Sequence, residues 1–332
     1  MRQGCPASPG LFNAYFDLVQ RCFLRRCQQQ GINGLHFEYR LPGGPTARAT
    51  RRILHTAFAD DLILLCQSLH DLQAALAILH QVAAEWGLVI NYAKCEIVVV
   101  DPPSAPQTHV PDRVDVPDAG ASITVVQVAR YLGWLITADR SASPILQRRL
   151  AAAGAAHRQI ACALKQPGEQ RTRAMLYRTC VVPALTYGIP ETCSFSDHDL
   201  APLAVAHNNY LRRLTGLWRR PDGTYYPLDQ LTAVAGVPSL QACIDAQRLT
   251  RLGHVARMPD SSVVKQLLFA TGLVGTGRPT GRPRRVWLDA AKESLARVGR
   301  GAASLRGDGW VTVAQDRVAW RALCLRAGKP PH

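Results

Sequence analysis

Two adjacent carboxylates, Asp60 and Asp61, lie in the middle of the apolar run at residues 53–66, and this placement restricts the local fold strongly. Like charges that are buried together repel each other and lose hydration, so the pair requires a surface turn or a nearby cation. The flanks, residues 53–58 and 62–66, are short, apolar and partly β-branched, which indicates two strands that turn at the pair. An isolated Asp-Asp pair also suits an ordinary turn, so its chemistry depends on the rest of the chain.

The basic charge of the chain is concentrated in its second part. Residues 1–139 contain 11 Lys and Arg against 12 Asp and Glu, whereas residues 140–332 contain 28 against 12. A positive field of this size attracts polyanions, and nucleic acid is the common polyanion that needs an extended basic surface. The alternative is a solvated basic face that maintains solubility.

Composition excludes several other classes of protein. A chain of 332 residues with 47% hydrophobic content can bury a core divided over two or three units. Its apolar stretches are interrupted by charges before they reach bilayer thickness, and its start lacks the apolar segment of a signal peptide. We therefore expect an intracellular protein, nuclear or cytoplasmic, with no membrane partner. The ten cysteines form no C-x-x-C pair, which predicts reduced, mostly structural thiols.

The first part of the chain combines helices with short strands. A helix is predicted from about Ser8, and a second helix follows a capping box at Ser68 and Asp71 and ends at Gly87. The predicted buried face of the first helix consists of Leu11, Tyr15, Leu18 and Cys22.

The remaining segments predict an α+β chain that becomes helical. Residues 95–100 are a predicted strand, residues 101–118 are a predicted Pro-rich surface loop, and residues 123–137 are predicted paired strands. Everything from about Ala142 onward is helical in pattern. The predicted helices lie near residues 144–166, 169–187, 197–217, 239–257, 286–298 and 313–326.

Several stretches, in order, resemble the reverse transcriptases of non-LTR (LINE-type) retrotransposons. They are "RQGCPASPGLFN", "FADD", "GLVINYAKCE" and "RYLGWLI", followed by "LTRLGHVARMPD", "GRPTGRPRRVWLD" and "AQDRVAWR" in the C-terminal part. The resemblance extends over nearly the whole chain. It implies a partial polymerase palm at residues 1–139, a helical thumb at residues 140–220 and a basic helical tail at residues 221–332, which together represent the C-terminal portion of such an enzyme.

The resemblance also implies an RNA-directed DNA polymerase, a nucleotidyltransferase that uses two Mg²⁺ ions, an RNA template, a DNA primer and deoxynucleotides. Carboxylates suit Mg²⁺ because this hard cation prefers oxygen ligands. By position, the resemblance implies that the metal is bound by Asp60 and Asp61 and that the leaving phosphate is contacted by Lys94. It implies that the nucleotide pocket is shaped by Gln3, Gly4, Pro6 and Ser8. It also implies that the primer end is gripped by Tyr131, Leu132 and Gly133. Lys94 could equally be an ordinary exposed lysine.

In the family a third aspartate comes from a strand upstream of the R-Q-G block. The chain given begins at that block, so we expect little or no polymerase activity and doubtful Mg²⁺ binding from this polypeptide alone.

The basic half offers two kinds of candidate contact with nucleic acid. An extended Gly-Arg-Pro segment is slim enough for the minor groove of A·T-rich DNA, although a flexible basic linker would have the same composition. The arginines of this segment are Arg278, Arg282, Arg284 and Arg285. Helical arginines could hold phosphates without reading sequence; they are Arg148, Arg149, Arg158, Arg171, Arg173, Arg212, Arg213, Arg219 and Arg220. His254 has no partner at ligand spacing and is assigned a structural role.

Three interpretations follow from the sequence: a reverse transcriptase fragment, a non-catalytic nucleic-acid-binding remnant of a retroelement, and a pseudogene product without a selected role.

Overall fold

A computed structural model shows an α+β protein that divides into two compact units. It describes residues 5–44, 47–100, 111–165, 168–192, 195–273, 286–299, 305 and 307–328. Unit 1 comprises residues 1–131, 136–140 and 269–280, and unit 2 comprises residues 132–135, 141–268 and 281–332. No helix in the described part of the chain is both long and apolar enough to cross a membrane.

Unit 1 contains two long helices and most of the strands. The helices are α1 (Ser8–Gln29) and α2 (Leu69–Glu85). The strands before and after α2 are β1 (Leu35–Tyr39), β2 (Ala49–Ile53), β3 (His55–Phe58), β4 (Asp61–Leu64), β5 (Glu96–Ile97), β6 (Arg113–Val116), β7 (Ala121–Val125), β8 (Val128–Tyr131) and β9 (Trp134–Thr137), the last of which begins in unit 2. A further strand, β10 (Ala270–Leu273), comes from the C-terminal half of the chain.

The strands form four small sheets. Strand β1 lies between β2 and β10 and is antiparallel to both. Strands β3 and β4 form one hairpin, and β8 and β9 form another. Strand β7 pairs in parallel with β5 and antiparallel with β6.

Helix α1 packs through its C-terminal half. Pro9 lies in the first turn as predicted, where its missing N–H has no partner to lose. The predicted buried face is wrong at Leu11 and Leu18, which are 64% and 52% exposed. The fully buried positions are Val19, Phe23 and Cys27, at i, i+4 and i+8, which pack against α2 and the β3–β4 hairpin. Tyr15 and Cys22 of the predicted face pack against the same core and are partly buried.

Helix α2 begins with the Ser68 half of the predicted capping box. The Asp71 backbone N–H donates to the Ser68 side-chain oxygen at 3.0 Å, and Gly87 follows the helix with a left-handed φ of 66°. The apolar side of α2 closes a second core over the small sheet of β5, β6 and β7. That core contains Leu76, Ile97, Val114, Val116 and Ile123.

Unit 2 is helical. Its helices are α3 (Ser143–Lys165), α4 (Gln170–Thr186), α5 (Asp197–Thr215), α6 (Leu228–Ala235), α7 (Leu240–Ala256), α8 (Val263–Leu268), α9 (Trp287–Val298), α10 (Gly309–Gln315) and α11 (Arg317–Ala327). The largest fully buried side chains of this unit include Tyr177, Leu185, Leu211 and Trp310.

Four predictions from the sequence need correction. The loop predicted at residues 101–118 contains strand β6, whose alternation of exposed and buried residues fits β7. The strand predicted at residues 95–100 is only two residues long. The helix predicted at residues 313–326 is two helices, because Asp316 leaves the helical conformation to cap α11. The half of the chain after Ala142 is not wholly helical, since it contributes β10 to the sheet of unit 1.

Candidate active site and nucleic-acid interface

The Asp60–Asp61 pair lies at the tip of the β3–β4 hairpin, as the sequence predicts. Phe58 pairs with Asp61, so Ala59 and Asp60 form a two-residue loop. Ala59 has a φ of 54°, whereas Asp60 is not left-handed, which matches the type II′ pattern of positive φ at the first loop position. Glycine normally occupies that position, so the hairpin retains local backbone strain of about 1 kcal/mol or more next to its carboxylates.

Both carboxylates face solvent. Asp60 and Asp61 are exposed, and neither has a hydrogen-bond or ion-pair partner in the described ranges. Phe58, one residue before the loop, is also 63% exposed. The hairpin tip therefore presents two unpaired negative charges beside an apolar ring.

The base of this hairpin is fixed to α1. His55 of β3 contacts Gln20 Oε1 through Nε2 at 2.8 Å, and its ring lies edge-on to Phe23 with centroids 6.1 Å apart. Burial lowers the pKa of His55, so the imidazole is held neutral at physiological pH. At the open end of the hairpin, the N–H of Leu65, just after β4, donates to the O of Leu54, just before β3, at 2.6 Å. A rigid base holds the tip in one place, and the sequence alone gave no sign of the His55–Gln20 contact.

The donor set of the tip fits a hard divalent cation in part. Aspartate oxygens are the ligands that Mg²⁺ prefers, and the exposed tip leaves room for the waters that this ion retains. Across the residues whose structure is described, no group of three or more His, Cys, Asp or Glu side chains is placed to hold a metal. Asp60 and Asp61 thus present two carboxylates at the tip, fewer than the three acidic or imidazole groups of such a cluster.

The other predicted palm residues are placed as follows. Lys94 ends a short 3₁₀ turn after α2 and is exposed. That turn is anchored by Tyr92, whose hydroxyl contacts His80 Nδ1 at 2.9 Å. Pro6 lies in the turn before α1, and Ser8 is the first residue of α1. Gln3 and Gly4 lie outside the described residues.

The predicted primer-grip residues lie at the β8–β9 hairpin. Tyr131 ends β8, and Leu132 and Gly133 form the loop with φ of 47° and 79°, so this is a two-residue loop of the type I′ pattern. In unit 2, the Tyr187 hydroxyl donates to Leu132 O at 2.5 Å, and the Arg149 guanidinium lies 5.2 Å from the centre of the Tyr187 ring.

Tyr187 is thus a positioning residue for this loop that sequence reasoning missed. The Arg149 side chain is only 8% exposed, and its burial lowers its pKa. Arg149, predicted as a phosphate contact, thus lies largely buried against the Tyr187 ring.

Of the remaining basic candidates, four lie outside the described residues and three others contact aromatic rings. Arg278, Arg282, Arg284 and Arg285 lie outside the described residues. On α5 and in the following loop, Arg212 and Arg219 each lie 4.9 Å from the Tyr225 ring centre, and Arg220 lies 5.6 Å from that of Tyr226. These are cation–π contacts on a partly exposed aromatic surface.

Comparison with known proteins agrees with this geometry. The model of the reverse transcriptase (RNA-dependent DNA polymerase) family matches residues 1–136, which include both hairpins and the whole predicted palm motif series up to β9. A transposon-derived protein of Caenorhabditis elegans is 26% identical over 292 residues, which is 83% of this chain and 96% of that protein. No solved structure matches the chain. The chain therefore contains a reverse transcriptase-like portion and resembles a transposon-derived protein over most of its length.

Proposed function

We propose that this chain is the palm-to-tail portion of a non-LTR retrotransposon reverse transcriptase, in which the β3–β4 hairpin carries two of the metal-binding carboxylates. One observation carries the proposal: within the portion that matches the reverse transcriptase family, Asp60 and Asp61 lie unpaired and exposed at the tip of a two-residue hairpin. Two like charges without a partner are stabilised by a cation, and a polymerase palm supplies a reason to keep them.

Different residues of the chain have different roles in the proposed nucleotidyl transfer. Asp60 and Asp61 would hold divalent cations, which would supply charge neutralisation for the triphosphate and activation for the primer hydroxyl. The turn before α1, with Pro6 and Ser8 and the preceding Gln3 and Gly4, shapes the nucleotide pocket. Lys94 contributes a positive charge toward the leaving phosphate.

The proposed domains follow the same division. Residues 1–139 are the partial palm, residues 140–220 the thumb and residues 221–332 the basic tail. In the palm, the loop of Leu132 and Gly133, with Tyr131 before it, contacts the primer end. The partners are an RNA template, a DNA primer and deoxynucleotides, which the +15 net charge of the chain attracts.

Metal binding is the first test. The protein labelled with ¹⁵N is titrated with Mn²⁺, a paramagnetic substitute for Mg²⁺, and NMR line broadening is mapped. Broadening centred on residues 58–62 is expected, and Asp60→Asn should remove it. Asp118→Asn is the matched control, because Asp118 is an exposed acid at the turn between β6 and β7 in the same unit. Equal broadening at the hairpin in Asp60→Asn would refute the assignment.

Polymerase activity is the second test. Because the described residues provide two carboxylates rather than three, little extension of a primer is expected with Mg²⁺ from this polypeptide. Whatever extension occurs must disappear in Asp60→Asn and persist in Asp118→Asn. Extension that survives Asp60→Asn would contradict the proposed role of the hairpin.

A second candidate function is favoured by the charge distribution. Residues 140–332 carry 28 basic against 12 acidic side chains, which suits a nucleic-acid-binding remnant without catalysis. In that case the segment with Arg278, Arg282, Arg284 and Arg285 contacts the DNA minor groove. Deletion of residues 276–285 should then reduce duplex affinity and its salt dependence, and an unchanged salt dependence would exclude this contact.

A further inference from the structure

A groove of about 1240 Å³ lies within unit 2 among helices α4, α7 and α11. We name it the arginine groove after the five arginines that line it: Arg178, Arg251, Arg257, Arg317 and Arg321. Among the described residues of the lining one is acidic, Glu191, and His254 lies on the same wall as Arg251. The groove therefore has a net charge of about +4 with the histidine neutral.

The shape of the groove follows from a close approach of two helices. The Trp320 indole of α11 packs directly on Gly253 of α7, where a Cβ atom would lie 2.1 Å from Trp320 Nε1. That nitrogen donates to Leu249 O at 2.8 Å, and Trp320 is only 2% exposed. Gly328, just after α11, lies near Ala246 with more room, since a Cβ atom there would be 3.3 Å from the Ala246 Cβ. The buried tryptophan thus forms the floor, and arginines from both helices form the walls.

Four of the lining arginines, Arg178 included, are exposed without a hydrogen bond or ion pair in the described part of the molecule. Arg251, Arg317 and Arg321 are exposed and have no hydrogen bond or ion pair among the described residues. Arg257 differs, because it donates to Ala314 O at 2.7 Å and so links α7 to α10. Five arginines with one acidic neighbour repel each other, and a bound anion would relieve this repulsion.

Two other arginines of unit 2 make structural hydrogen bonds and serve as a comparison. Arg297 makes two hydrogen bonds to the buried Asp245 carboxylate at 2.7 and 2.8 Å. Arg248 is 6% exposed and donates to Pro190 O at 3.3 Å and Ser294 Oγ at 3.2 Å. Arg251, Arg317 and Arg321 make no comparable contacts, so hydrogen bonding within the protein does not explain their position.

We propose that the arginine groove binds a single strand of nucleic acid through its phosphates. Its volume exceeds the roughly 300–1,000 Å³ of small-molecule sites, which favours a polymer. Arg317 and Arg321 are four residues apart on one helix face, a spacing suited to successive phosphates of a strand. Between the walls, apolar surface that unpaired bases can contact is offered by Met258, Cys324 and Leu325. The bases of a duplex are stacked inside the double helix and would not reach this surface.

This site is separate from the proposed metal hairpin and from the Gly-Arg-Pro segment. It involves arginines of α4, α7 and α11 that sequence reasoning did not single out, and its His254 was assigned a structural role there, although the side chain is exposed on the groove wall. The proposal stands whether or not Asp60 and Asp61 bind metal. Asp60→Asn is accordingly expected to leave strand binding unchanged, so failure of one proposal is distinguishable from failure of the other.

The test is fluorescence anisotropy of a labelled 20-nucleotide oligo(dT), measured with the full chain at several salt concentrations. The groove variant carries Arg251→Gln, Arg317→Gln and Arg321→Gln together and retains Arg257 for folding. Each single-strand phosphate contact contributes about −0.7 to the slope of log affinity against log salt, so losing three contacts should reduce the slope by about 2.

The control variant removes the same charge elsewhere. It carries Arg25→Gln, Arg51→Gln and Arg326→Gln, all at exposed positions that do not line the groove. The slope of log affinity against log salt for this variant should stay within about 0.7 of the slope for the parent protein. Circular dichroism before titration confirms that both variants are folded.

Three results would overturn the proposal. One is an equal loss of slope in the groove variant and the control variant, which would assign strand binding to overall charge. The second is displacement of the oligonucleotide by poly-L-glutamate at the same concentration of charge, which would assign the groove to acidic chains in general. The third is tighter binding of a duplex of the same length than of the single strand, with this duplex binding also lost in the groove variant, which would exclude a single-strand site.

Discussion

Gly253→Ala should destabilise the helical unit even though alanine is a better helix former. The added methyl group would lie 2.1 Å from Trp320 Nε1 and 2.3 Å from Trp320 Cδ1, well inside contact distance. The indole has little room to retreat, because Trp320 is 2% exposed and its ring centre lies 6.3 Å from that of Trp310. Helix α11 must therefore shift away from α7.

The magnitude follows from three terms. Overpacking of a close-packed interior costs about 1–3 kcal/mol. Weakening the bond from Trp320 Nε1 to Leu249 O, 2.8 Å in length, costs about 1 kcal/mol more. Alanine gains about 1 kcal/mol over glycine inside a helix. The packing terms exceed the helix propensity, so a net loss of about 1–3 kcal/mol is expected.

Gly154→Ala is the matched control, since Gly154 lies inside α3 of the same unit. A Cβ atom there would meet Arg158 Nη1 at 3.5 Å and the Tyr210 hydroxyl at 3.7 Å, which are ordinary contacts. The gain in helix propensity is then unopposed, and the free energy of unfolding should rise by up to about 1 kcal/mol. Two identical substitutions in one unit should thus have effects of opposite sign.

Urea denaturation followed by circular dichroism and tryptophan fluorescence measures both effects. Gly253→Ala should lower the midpoint of the helical unit and Gly154→Ala should raise it, with unchanged slopes. An equal stabilisation by both substitutions would refute the close packing of α7 on α11, and with it the floor of the arginine groove.

Three further predictions concern other parts of the molecule. Burial lowers the pKa of His207 to about 4 from an unfolded value near 6.5, so the stability that the neutral histidine contributes is complete above pH 6.5 and is lost as the pH falls toward 4, by about 3 kcal/mol in all. His207→Gln should flatten this part of the pH dependence of the unfolding free energy, and an unchanged pH profile would contradict this prediction. Arg297→Ala leaves the Asp245 carboxylate, 3% exposed, without its cation and should cost about 3 kcal/mol in urea denaturation, whereas a loss below about 1 kcal/mol would show that the carboxylate is solvated. Ala59→Gly relieves a φ of 54° and should slow hydrogen exchange in the β3–β4 hairpin, while faster exchange would exclude strain at the loop.

The local elements of unit 1 could be predicted because their signals are local. Ser68 and Asp71 lie three residues apart and cap α2, and the apolar flanks of Asp60 and Asp61 predict a hairpin without reference to the rest of the chain. The candidate catalytic pair was visible for the same reason, since adjacent charges in an apolar run are unusual in any context.

Long-range contacts could not be predicted from the sequence. Strand β10 is four residues in a helical region, and its partner β1 lies more than 200 residues earlier, as the bond from Thr271 Oγ1 to Glu38 O shows with a separation of 233. The arginine groove brings Arg251 of α7 beside Arg317 of α11, and neither residue stands out in its own segment. The same holds for Tyr187, whose partner Leu132 is 55 residues away.

The central claim, that the acidic hairpin of a reverse transcriptase-like palm binds divalent cations, is tested most directly by anomalous diffraction from crystals soaked in Mn²⁺. An anomalous peak is expected at about 2.0–2.6 Å from carboxylate oxygens of Asp60 or Asp61, the range of oxygen ligation for such ions. Peaks at other acidic positions, with none at this hairpin, would contradict the claim.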